Sequence, residues 1–320
     1  MILRPPSLDK LLGLAHNDER RPPAFVLAGH NGSGKSTLWY QRLADQLRLP
    51  LVNADRLTLS ILPEADKKTR KLPGWAQQLR DKDDRWQKLS QDGVGLFRQL
   101  IMDRRLPFAF ETVFSYWELT QDGRYLSKAD DIEAMQKAGY FVVSLFVGLT
   151  SPSLSVLRVQ TRKDQGGHDV PLATLLKRFP RTQAAIGNAA PLADMTLMFD
   201  NSRSMRQAFT LVRAQRKRAV LFDARDPQIR VDADLRSVSD PWLEKVVGPF
   251  VPARRIVRRA RNRSSSIPVQ ILYWQPALTE RSHINVRAKR ATTAGRQARA
   301  GENVPRTARP GLVACRWRSA

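Results

Sequence analysis

A short stretch of glycine, lysine and serine, "GHNGSGKS" at residues 29–36, has the residue types and spacing needed to hold phosphate groups. It fits the pattern G-x-x-x-x-G-K-[ST], with Lys35 and Ser36 as its last two residues. Glycines allow a loop whose backbone N–H groups all turn toward one anion. The pattern therefore predicts a loop that binds a nucleoside triphosphate, ATP or GTP.

Two side chains of this loop are predicted to act on the phosphates directly. Lys35 can reach the β- and γ-phosphate oxygens, and the Ser36 hydroxyl can ligate Mg²⁺. The free N–H groups and the positive dipole end of a following helix add further attraction for an anion. The predicted nucleotide-binding residues are Gly29, His30, Asn31, Gly32, Ser33, Gly34, Lys35, Ser36 and Thr37.

The sequence on both sides of the loop indicates the elements that position it. Before the loop, "PAFVLAG" (residues 23–29) is a short apolar run after Pro22, which is typical of a buried parallel strand. After the loop, Tyr40, Leu43 and Leu47 have helical spacing. A strand, a glycine-rich loop and a helix in this order form the context that makes the phosphate-binding pattern specific.

Two carboxylates follow other predicted strands. Asp55 follows a second strand, predicted at about residues 50–53, and a third strand, "PFAFETVFS", ends near Glu111 and Thr112. Because the carboxyl ends of parallel strands meet at one edge of a sheet, these side chains are expected on the ligand side. Asp55 is predicted to accept a proton from an acceptor hydroxyl or to help hold Mg²⁺. A helix N-cap is the alternative for Asp55, and an ordinary polar strand end is the alternative for the other two.

Four arginines lie on two predicted helices farther along the chain. Arg158 and Arg162 are four residues apart on the first helix, and Arg178 and Arg181 lie on the second. The segment "GGHDVP" (residues 166–171) joins the two helices and is predicted to be a hinge. Guanidinium groups stabilise the charge that develops on a transferred phosphoryl group, and a lid excludes water. The cluster therefore predicts a helical lid over a phosphoryl-transfer site.

Further segments predict the rest of the fold. Residues 73–103 predict one or two amphipathic helices, and "YFVVSLFVGL" (140–149) predicts a central strand. Residues 195–202 predict a fifth strand, a hairpin is predicted around residues 216–218, and a last helix is predicted around residues 241–250. Strands that alternate with helices favour an α/β fold, here a kinase-like P-loop NTPase with a three-layer, doubly wound, mostly parallel sheet and a helical lid.

Charge divides the chain into two predicted parts. Residues 251–320 supply more than half of the net charge of +24, with fifteen arginines and one lysine against two glutamates. This Arg-rich tail has no sustained periodicity and is predicted to be disordered, whereas residues 1–250 are predicted to form the kinase-like domain. A polyanion-binding arm and a solvated extension without a function both remain open for the tail.

The composition also bears on the cellular compartment. The longest apolar stretch, "FVVSLFVGL" (141–149), is far too short to cross a bilayer. Residues 1–21 carry prolines and charges where a signal peptide needs an unbroken apolar run. The single cysteine, Cys315, excludes an internal disulfide, and four scattered histidines argue against a structural zinc site. We expect a cytoplasmic protein without membrane contact.

The order of these motifs resembles that of the zeta toxins and zeta-like P-loop kinases, whose best-known members phosphorylate UDP-N-acetylglucosamine. The motifs that carry the resemblance are "LAGHNGSGKSTL", "VNAD", "FAFETVFS", "RVQTRKDQGGHDVP" with "KRFPR" after it, and "MFDNS", spanning roughly residues 23–202. The resemblance implies that Lys35 and Ser36 bind the ATP phosphates and Mg²⁺.

The resemblance also implies roles for the other candidate residues. Asp55 would be the catalytic base that takes the proton from a sugar hydroxyl. Glu111 and Thr112 would lie against the acceptor substrate. Arg162 and Arg178 would be the catalytic lid cations on the phosphate chain.

Some positions stay open within the resemblance. Arg158 and Arg181 are alternatives for the lid cations, and residues 200–202 would lie near the adenine or simply end a strand. In the toxins a glycine follows the acceptor-side glutamate and a threonine stands two positions after it, but here these positions are Thr112 and Val113. A changed wall of the acceptor pocket alters which hydroxyl can be held in line, so the acceptor can differ from that of the toxins.

Three functional hypotheses follow. The leading one is a kinase that uses ATP and Mg²⁺ to phosphorylate a hydroxyl of a small, nucleotide-sugar-like acceptor, with an antitoxin protein as a candidate partner. A polynucleotide 5′-hydroxyl kinase would use the same loop and carboxylate, with the basic tail as a track for nucleic acid. It is not favoured, because the aromatic residues form no evident stacking platform. The third is a non-catalytic ATP-binding module.

Overall fold

The computed structural model describes residues 5–16, 21–69, 71–121, 125–164, 167 and 170–252. The chain divides into two units, Met1–Leu278 and Thr279–Ala320, and every described residue belongs to the first. Apart from Val251 and Pro252, the predicted Arg-rich tail lies outside the described residues. Its disorder and the domain boundary near residue 250 therefore stay predictions.

The described residues form nine strands. They are β1 Pro23–Gly29, β2 Leu51–Val52, β3 Phe108–Thr112, β4 Trp117–Leu119, β5 Tyr125–Ser127, β6 Phe141–Gly148, β7 Met195–Asp200, β8 Thr210–Arg216 and β9 Ala219–Asp223. Seven of them form one sheet in the order β2-β3-β1-β6-β7-β8-β9, and β4 pairs with β5 in a separate hairpin. The first five strands of the large sheet are parallel, and β8 and β9 are antiparallel.

Helices connect most of these strands. They are α1 Leu8–His16, α2 Lys35–Leu38, α3 Ala44–Leu47, α4 Ala54–Ile61, α5 Gly74–Lys82, α6 Asp84–Asp103, α7 Ala129–Lys137, α8 Pro152–Asp164, α9 Leu172–Ala189 and α10 Ala233–Val247. A π-helical turn, Trp39–Leu43, joins α2 to α3. None of the helices in the described ranges has the length and apolar character needed to cross a membrane.

The centre of the sheet determines where a ligand can lie. Every residue of β1, β6 and β7 is buried, because parallel strands covered by helices on both faces need apolar side chains on both faces. β1 pairs with β3 on one side and with β6 on the other. The loop that follows β1 therefore emerges between the carboxyl ends of two neighbouring strands, in the crevice where α/β sheets bind ligands.

The predicted fold class is confirmed. β1, α8, α9 and the hairpin of β8 and β9 lie where the sequence predicts them, and residues 73–103 form the two helices α5 and α6. The sheet is mostly parallel, with helices between the parallel strands, as the alternation of elements predicts.

Three features differ from the predictions. The π-helical turn shifts the phase of the helix after the loop, so that Trp39 is buried and Tyr40 is 42% exposed. α10 begins at Ala233, earlier than predicted. The sequence gives little sign of this start, because the first half of the helix carries few apolar residues and Pro241 lies inside it. α1, α7, β4 and β5 have no predicted counterpart, because segments of nine or three residues are too short for a clear periodicity.

Candidate functional site

The predicted phosphate loop lies at the carboxyl end of β1. Gly34 has a φ of 93°, a left-handed value that favours glycine. A Cβ on Gly34 would lie 2.7 Å from Asn201 Nδ2, and a Cβ on Gly29 would lie 2.7 Å from the carbonyl oxygen of Val147. Larger residues at either position would collide with the walls that surround the loop.

Hydrogen bonds from β7 and α8 hold the loop in shape. Asn201 Nδ2, just after β7, donates to the carbonyl oxygen of Ser33 at 2.8 Å. Ser155 Oγ, in α8, donates to the carbonyl oxygen of Asn31 at 2.7 Å. Within the loop, the Ser33 N–H donates to the carbonyl oxygen of His30 at 3.1 Å. These contacts fix the loop backbone in advance, which reduces the entropy lost when a ligand binds.

A carboxylate from β3 meets the lysine and serine of the loop. Glu111 pairs with Leu27 of β1 in the parallel register. Ser36 Oγ donates to Glu111 Oε2 at 2.7 Å, and Lys35 Nζ lies 3.8 Å from Glu111 Oε1. Asn53 Nδ2 donates to Glu111 Oε2 as well, at 2.7 Å. The resemblance implies a place for Glu111 beside the acceptor; in the structure its carboxylate contacts the phosphate loop, because β3 is the direct neighbour of β1.

The electrostatic surroundings of Lys35 connect the loop to two other predicted residues. Burial is the largest influence on Lys35 and lowers the pKa of its ammonium group. The Glu111 and Asp55 carboxylates raise this pKa, and the Arg162 guanidinium lowers it. Of the residues predicted to be catalytic, Asp55 and Arg162 thus both act on the charge of Lys35.

The loop fits the triphosphate and the Mg²⁺ that the sequence pattern predicts. Lys35 Nζ donates to two carbonyl oxygens of the loop, at 3.2 and 3.0 Å. Ser33 Oγ is buried and has no hydrogen-bond partner among the described residues. Phosphate oxygens would give both groups an anionic acceptor. The Ser36 hydroxyl and the Glu111 carboxylate are oxygen ligands of the kind that Mg²⁺ prefers.

His30 is one of the predicted nucleotide-binding residues, but its ring is buried in an aromatic cluster. The ring stacks on Phe179 of α9, with centroids 3.9 Å apart and planes 9° apart, and meets Phe146 of β6 edge-on at 5.8 Å. Burial, followed by the charge of Lys35, lowers the pKa of His30 to about 3. The imidazole is therefore neutral at physiological pH, and its side chain serves packing.

A cavity of about 520 Å³ lies beside Asp55. Its volume is within the range of about 300–1,000 Å³ that is usual for small-molecule sites. Residues of α4, α5, α6 and α8 line it, together with the segment between α4 and α5. The polar lining includes Asp55, Glu64, Arg80, Gln91 and Arg162. The cavity thus offers charged and hydrogen-bonding groups to a small molecule.

The local structure of α4 presents Asp55 to this cavity. The helix N-cap, the alternative role for Asp55, belongs to Asn53, whose side chain accepts a hydrogen bond from the Arg56 N–H at 3.2 Å. Asp55 lies in the first turn of α4 and is exposed. A negative charge is favourable at this end of a helix dipole. The Asp55 carboxylate is therefore available to a molecule in the cavity.

Arg80 of α5 is a cavity residue that sequence reasoning misses. Its side chain is buried and forms two hydrogen bonds with the Asp81 carboxylate, at 2.7 and 2.9 Å. Arg80 Nη2 also donates to the carbonyl oxygen of Gly167 at 3.3 Å. Arg80 therefore connects α5 to the segment between the two lid helices.

The two arginines of α8 contribute to different parts of the site. Arg162 lines the cavity. Arg158 lies over the loop, where a Cβ on Gly32 would be 3.2 Å from the Arg158 Cβ. Burial lowers the pKa of Arg158, and the charge of Asp200 acts in the opposite direction. The helix thus places Arg162 at the cavity and the Cβ of Arg158 against the loop.

The two arginines of α9 differ as well. Arg178 is half-buried and makes no hydrogen bond or ion pair within the described part of the chain. Arg181 forms an ion pair with Glu118 of β4 at 3.0 Å, which directs it to the hairpin. The predicted hinge at 166–171 stays a prediction, because Gly166, His168 and Asp169 lie outside the described residues.

Two predicted strand ends have local structural partners. Thr112 Oγ1 accepts a hydrogen bond from the Phe114 N–H at 3.4 Å, and Thr112 is not part of the cavity wall. Asp200 is fully buried and accepts hydrogen bonds from Trp242 Nε1 at 2.9 Å and from Ser202. Asp200 therefore anchors the end of β7, and a place for residues 200–202 near the adenine stays a prediction.

Several solved structures are similar to this chain. One is the PezAT chromosomal toxin–antitoxin system of Streptococcus pneumoniae, with 10% identity, 78% of this chain and 92% of that chain covered, and a TM-score of 0.42. Another is the AvrRxo1-ORF1:-ORF2 complex with ATP, with 15% identity, 75% and 84% coverage, and a TM-score of 0.43. A third is the Pnkp1/Rnl/Hen1 RNA repair complex, with 16% identity, 53% and 47% coverage, and a TM-score of 0.37.

The comparisons based on sequence give no match. No family model matches the chain, and no curated protein matches it. At identities of 16% or less and TM-scores below 0.5, the structural likenesses assign no function to this protein. Its function must be argued from its own residues.

Two further residues of the site, Asn53 and Arg80, are assigned no role by the sequence, and Asn201 is predicted only as part of residues 200–202. Asn53 and Asn201 directly follow β2 and β7, so their place at the carboxyl edge of the sheet was a usable signal. Arg80 offers no such signal, because it lies in the middle of a polar helix and reaches the cavity only through the packing of α5 against other segments.

Proposed function

We propose that this protein is an ATP-dependent phosphotransferase that moves the γ-phosphoryl group to a hydroxyl of a small molecule. One observation carries the proposal: Asp55 and Arg162, whose charges act on Lys35 of the phosphate loop, line the same cavity of small-molecule size. Phosphoryl transfer needs a cation on the phosphates, a group that accepts the proton and a place for the acceptor. A module that only binds ATP needs the first of these alone.

On the nucleotide side, the loop N–H groups and Lys35 bind the β- and γ-phosphates. Ser36 and Glu111 are the residues that hold Mg²⁺, which neutralises charge on the transferred group when it is bound. Support for Glu111 comes from its 2.7 Å hydrogen bond with Ser36. This replaces the acceptor-binding role that the resemblance implies for Glu111.

On the acceptor side, Asp55 takes the proton of the acceptor hydroxyl. The acceptor oxygen forms a bond to the γ-phosphorus, the bond from that phosphorus to the bridging oxygen breaks, and ADP leaves. Arg162 and Arg178 stabilise the charge on the transferred group. The exposure of Asp55 and its place in the cavity wall support this role.

The acceptor class and the partner rest on the resemblance to zeta-like kinases. We propose a nucleotide-sugar-like acceptor, with UDP-N-acetylglucosamine as the first compound to test, and an antitoxin protein as a binding partner. The volume of the cavity and the guanidinium of Arg162 in its wall suit a small anionic molecule. A cytoplasmic location is part of the same proposal.

The test is to incubate the protein with Mg-ATP and a panel of UDP-sugars, free sugars and 5′-hydroxyl oligonucleotides, and to follow phosphate transfer by mass spectrometry. Lys35→Ala is the inactive control, and Lys10→Ala, a change of an exposed lysine of α1, is the matched control. Phosphorylation of a small hydroxyl compound that Lys35→Ala abolishes supports the proposal. Transfer to oligonucleotides alone contradicts it, and so does a protein that binds ATP but phosphorylates no member of a wide panel.

A further inference from the structure

A stacked pair of rings joins the phosphate loop to α9. His30, the second residue of the loop, lies with its ring parallel to that of Phe179 at a centroid distance of 3.9 Å. Phe146, in the central strand β6, also contacts the imidazole, in an edge-on arrangement. His30 is 2% exposed and Phe179 is 5% exposed. The contact is therefore a dry one, in which a change of ring size changes the distance between loop and helix.

Hydrogen bonding does not explain a histidine at this position. Neither His30 Nδ1 nor His30 Nε2 has a hydrogen-bond partner within the described part of the chain. The ring is also unsuited to carry a charge, because Lys35 lies nearby and the site is buried. What His30 supplies to its neighbours is a flat, uncharged face of fixed thickness.

Phe179 belongs to the inward face of α9, next to an arginine. Buried residues recur along this helix at helical spacing: Leu175, Phe179, Thr182, Gln183 and Ile186. Arg178 precedes Phe179 and lies three residues after Leu175 and four before Thr182, which places it at the edge of that inward face. It is half-buried and makes no hydrogen bond or ion pair with any described residue. Because no such contact holds the Arg178 side chain, its distance from the loop depends on where α9 packs.

We infer that His30 is a positioning residue: its ring sets the spacing between the phosphate loop and α9, and so holds Arg178 where it can reach the γ-phosphate. The inference rests on the proposed function, because it takes Arg178 as a contact of the transferred group. It goes beyond that function by assigning a role to a loop residue that touches no phosphate with its side chain. The substitution His30→Phe keeps an aromatic ring and should preserve the spacing between the loop and α9, whereas His30→Ala should not.

Nucleotide affinity tests the inference without an acceptor. The dissociation constants of Mg-ADP and of a non-hydrolysable Mg-ATP analogue are measured by calorimetry for the wild type, His30→Ala, His30→Phe and Arg178→Ala. The ratio of the two constants reports contacts to the γ-phosphate. We expect Arg178→Ala and His30→Ala each to lower the preference for the ATP analogue by about tenfold, the size of one charge-assisted hydrogen bond. His30→Phe should stay within about twofold of the wild type, because the stacked pair is retained.

The combination of both changes separates positioning from a general loss of structure. In the double variant His30→Ala with Arg178→Ala, the two effects should not add, because each removes the same γ-phosphate contact. Phe179→Leu, which keeps an apolar residue but removes the stacking, should repeat the effect of His30→Ala. Thermal unfolding of each variant verifies that the protein tested is folded.

Several results would overturn the inference. One is an equal loss of ADP and ATP-analogue affinity in His30→Ala, which would mean that His30 only maintains the loop. A second is a His30→Phe protein that behaves like His30→Ala, since the ring nitrogens would then be what matters. A third is full additivity of the His30 and Arg178 changes. A wild-type protein that binds neither nucleotide would instead overturn the proposed function, and this inference with it.

Discussion

Nine consecutive residues, 29–37, form the phosphate loop, whereas the wall of the cavity beside Asp55 comes from segments spread between residues 54 and 167. The loop is supported by direct hydrogen bonds from Ser155 and Asn201 to its backbone. The cavity depends on how α4, α5, α6 and α8 pack together. One half of the site is thus encoded locally, and the other half arises from tertiary structure.

This difference has a consequence for how the two halves respond to change. A backbone loop between buried strands has little freedom to adapt, so a substitution there should affect every nucleotide the protein binds. A cavity lined by side chains of separate helices can change its lining without changing the loop. Acceptor specificity can therefore vary while nucleotide binding stays the same, and substitutions in the two halves should have separable effects.

The largest expected effect is that of Lys35→Ala, which acts on the loop. Lys35 is buried and its Nζ lies 3.8 Å from the Glu111 carboxylate, which accepts a hydrogen bond from Ser36. Its removal should lower the rate of phosphate transfer by about 10³-fold and weaken ATP binding, because a preorganised charge on the phosphates is lost. Steady-state kinetics and calorimetry measure the two effects, with Lys10→Ala as the control. If Lys35→Ala changed the acceptor KM and left the ATP affinity unaltered, the loop would not be the nucleotide-binding half of the site.

Glu111→Gln tests which half the carboxylate serves. The amide keeps the shape of the side chain and its contact with Asn53 but removes the charge beside Ser36. We expect transfer to fall by about 10²-fold and the concentration of Mg²⁺ needed for half-maximal rate to rise. Rates measured across a Mg²⁺ titration give both values. An unchanged Mg²⁺ requirement combined with a raised acceptor KM would contradict this assignment and support the acceptor-binding role that the resemblance implies for Glu111.

Arg80→Lys acts on the cavity alone. Lysine keeps the charge but cannot form the paired hydrogen bonds with Asp81 or keep the same reach to Gly167. We expect the acceptor KM to rise by about tenfold, the effect of one charge-assisted contact, with the affinity for ATP unchanged. Kinetics at varied acceptor and saturating ATP measure this. An equal loss of ATP affinity would show that α5 supports the loop as well.

The smallest expected effect is a pH dependence of stability from His30. Its pKa of about 3 in the folded protein lies below the value of about 6.5 in an unfolded chain, so the unfolded state takes up a proton first. The stability that the neutral ring contributes is thus complete above about pH 6.5 and is lost as the pH falls toward 3. Between pH 7 and pH 6 the wild type should lose about 0.7 kcal/mol of unfolding free energy relative to His30→Phe.

Urea unfolding of both proteins at the two pH values measures this difference. His30→Phe is the matched reference, since it keeps the ring stacked on Phe179 and removes the titrating group. A wild type and a variant that lose stability in parallel would show that His30 is not buried as a neutral ring.

The sequence predicts the locally encoded half well and the assembled half in part. The loop, β1 and the place of Asp55 after β2 follow from motif and periodicity, because neighbouring residues determine them. The contact of Glu111 with Ser36 needs the strand order, which places β3 directly beside β1 and which the spacing of motifs does not contain.

Long-range packing accounts for the features that the sequence does not predict. Arg80 enters the cavity wall through the arrangement of α5, and His30 meets Phe179 across 149 positions of the chain. The π-helical turn at Trp39–Leu43 is a short-range example of a feature that the sequence does not predict. Trp39 is buried there instead of Tyr40, from which the helical spacing is counted. In each case tertiary contacts decide among local options of similar energy.

The central claim is that Asp55 serves the acceptor while the loop serves the nucleotide, and Asp55→Asn tests it most directly. The variant keeps the size of the side chain but cannot take up the acceptor proton. We predict that its dissociation constant for Mg-ATP, measured by calorimetry, stays within about threefold of the wild-type value while phosphate transfer falls by about 10²- to 10⁴-fold. Transfer at the wild-type rate, or a loss of activity fully explained by lost ATP binding, would contradict the account.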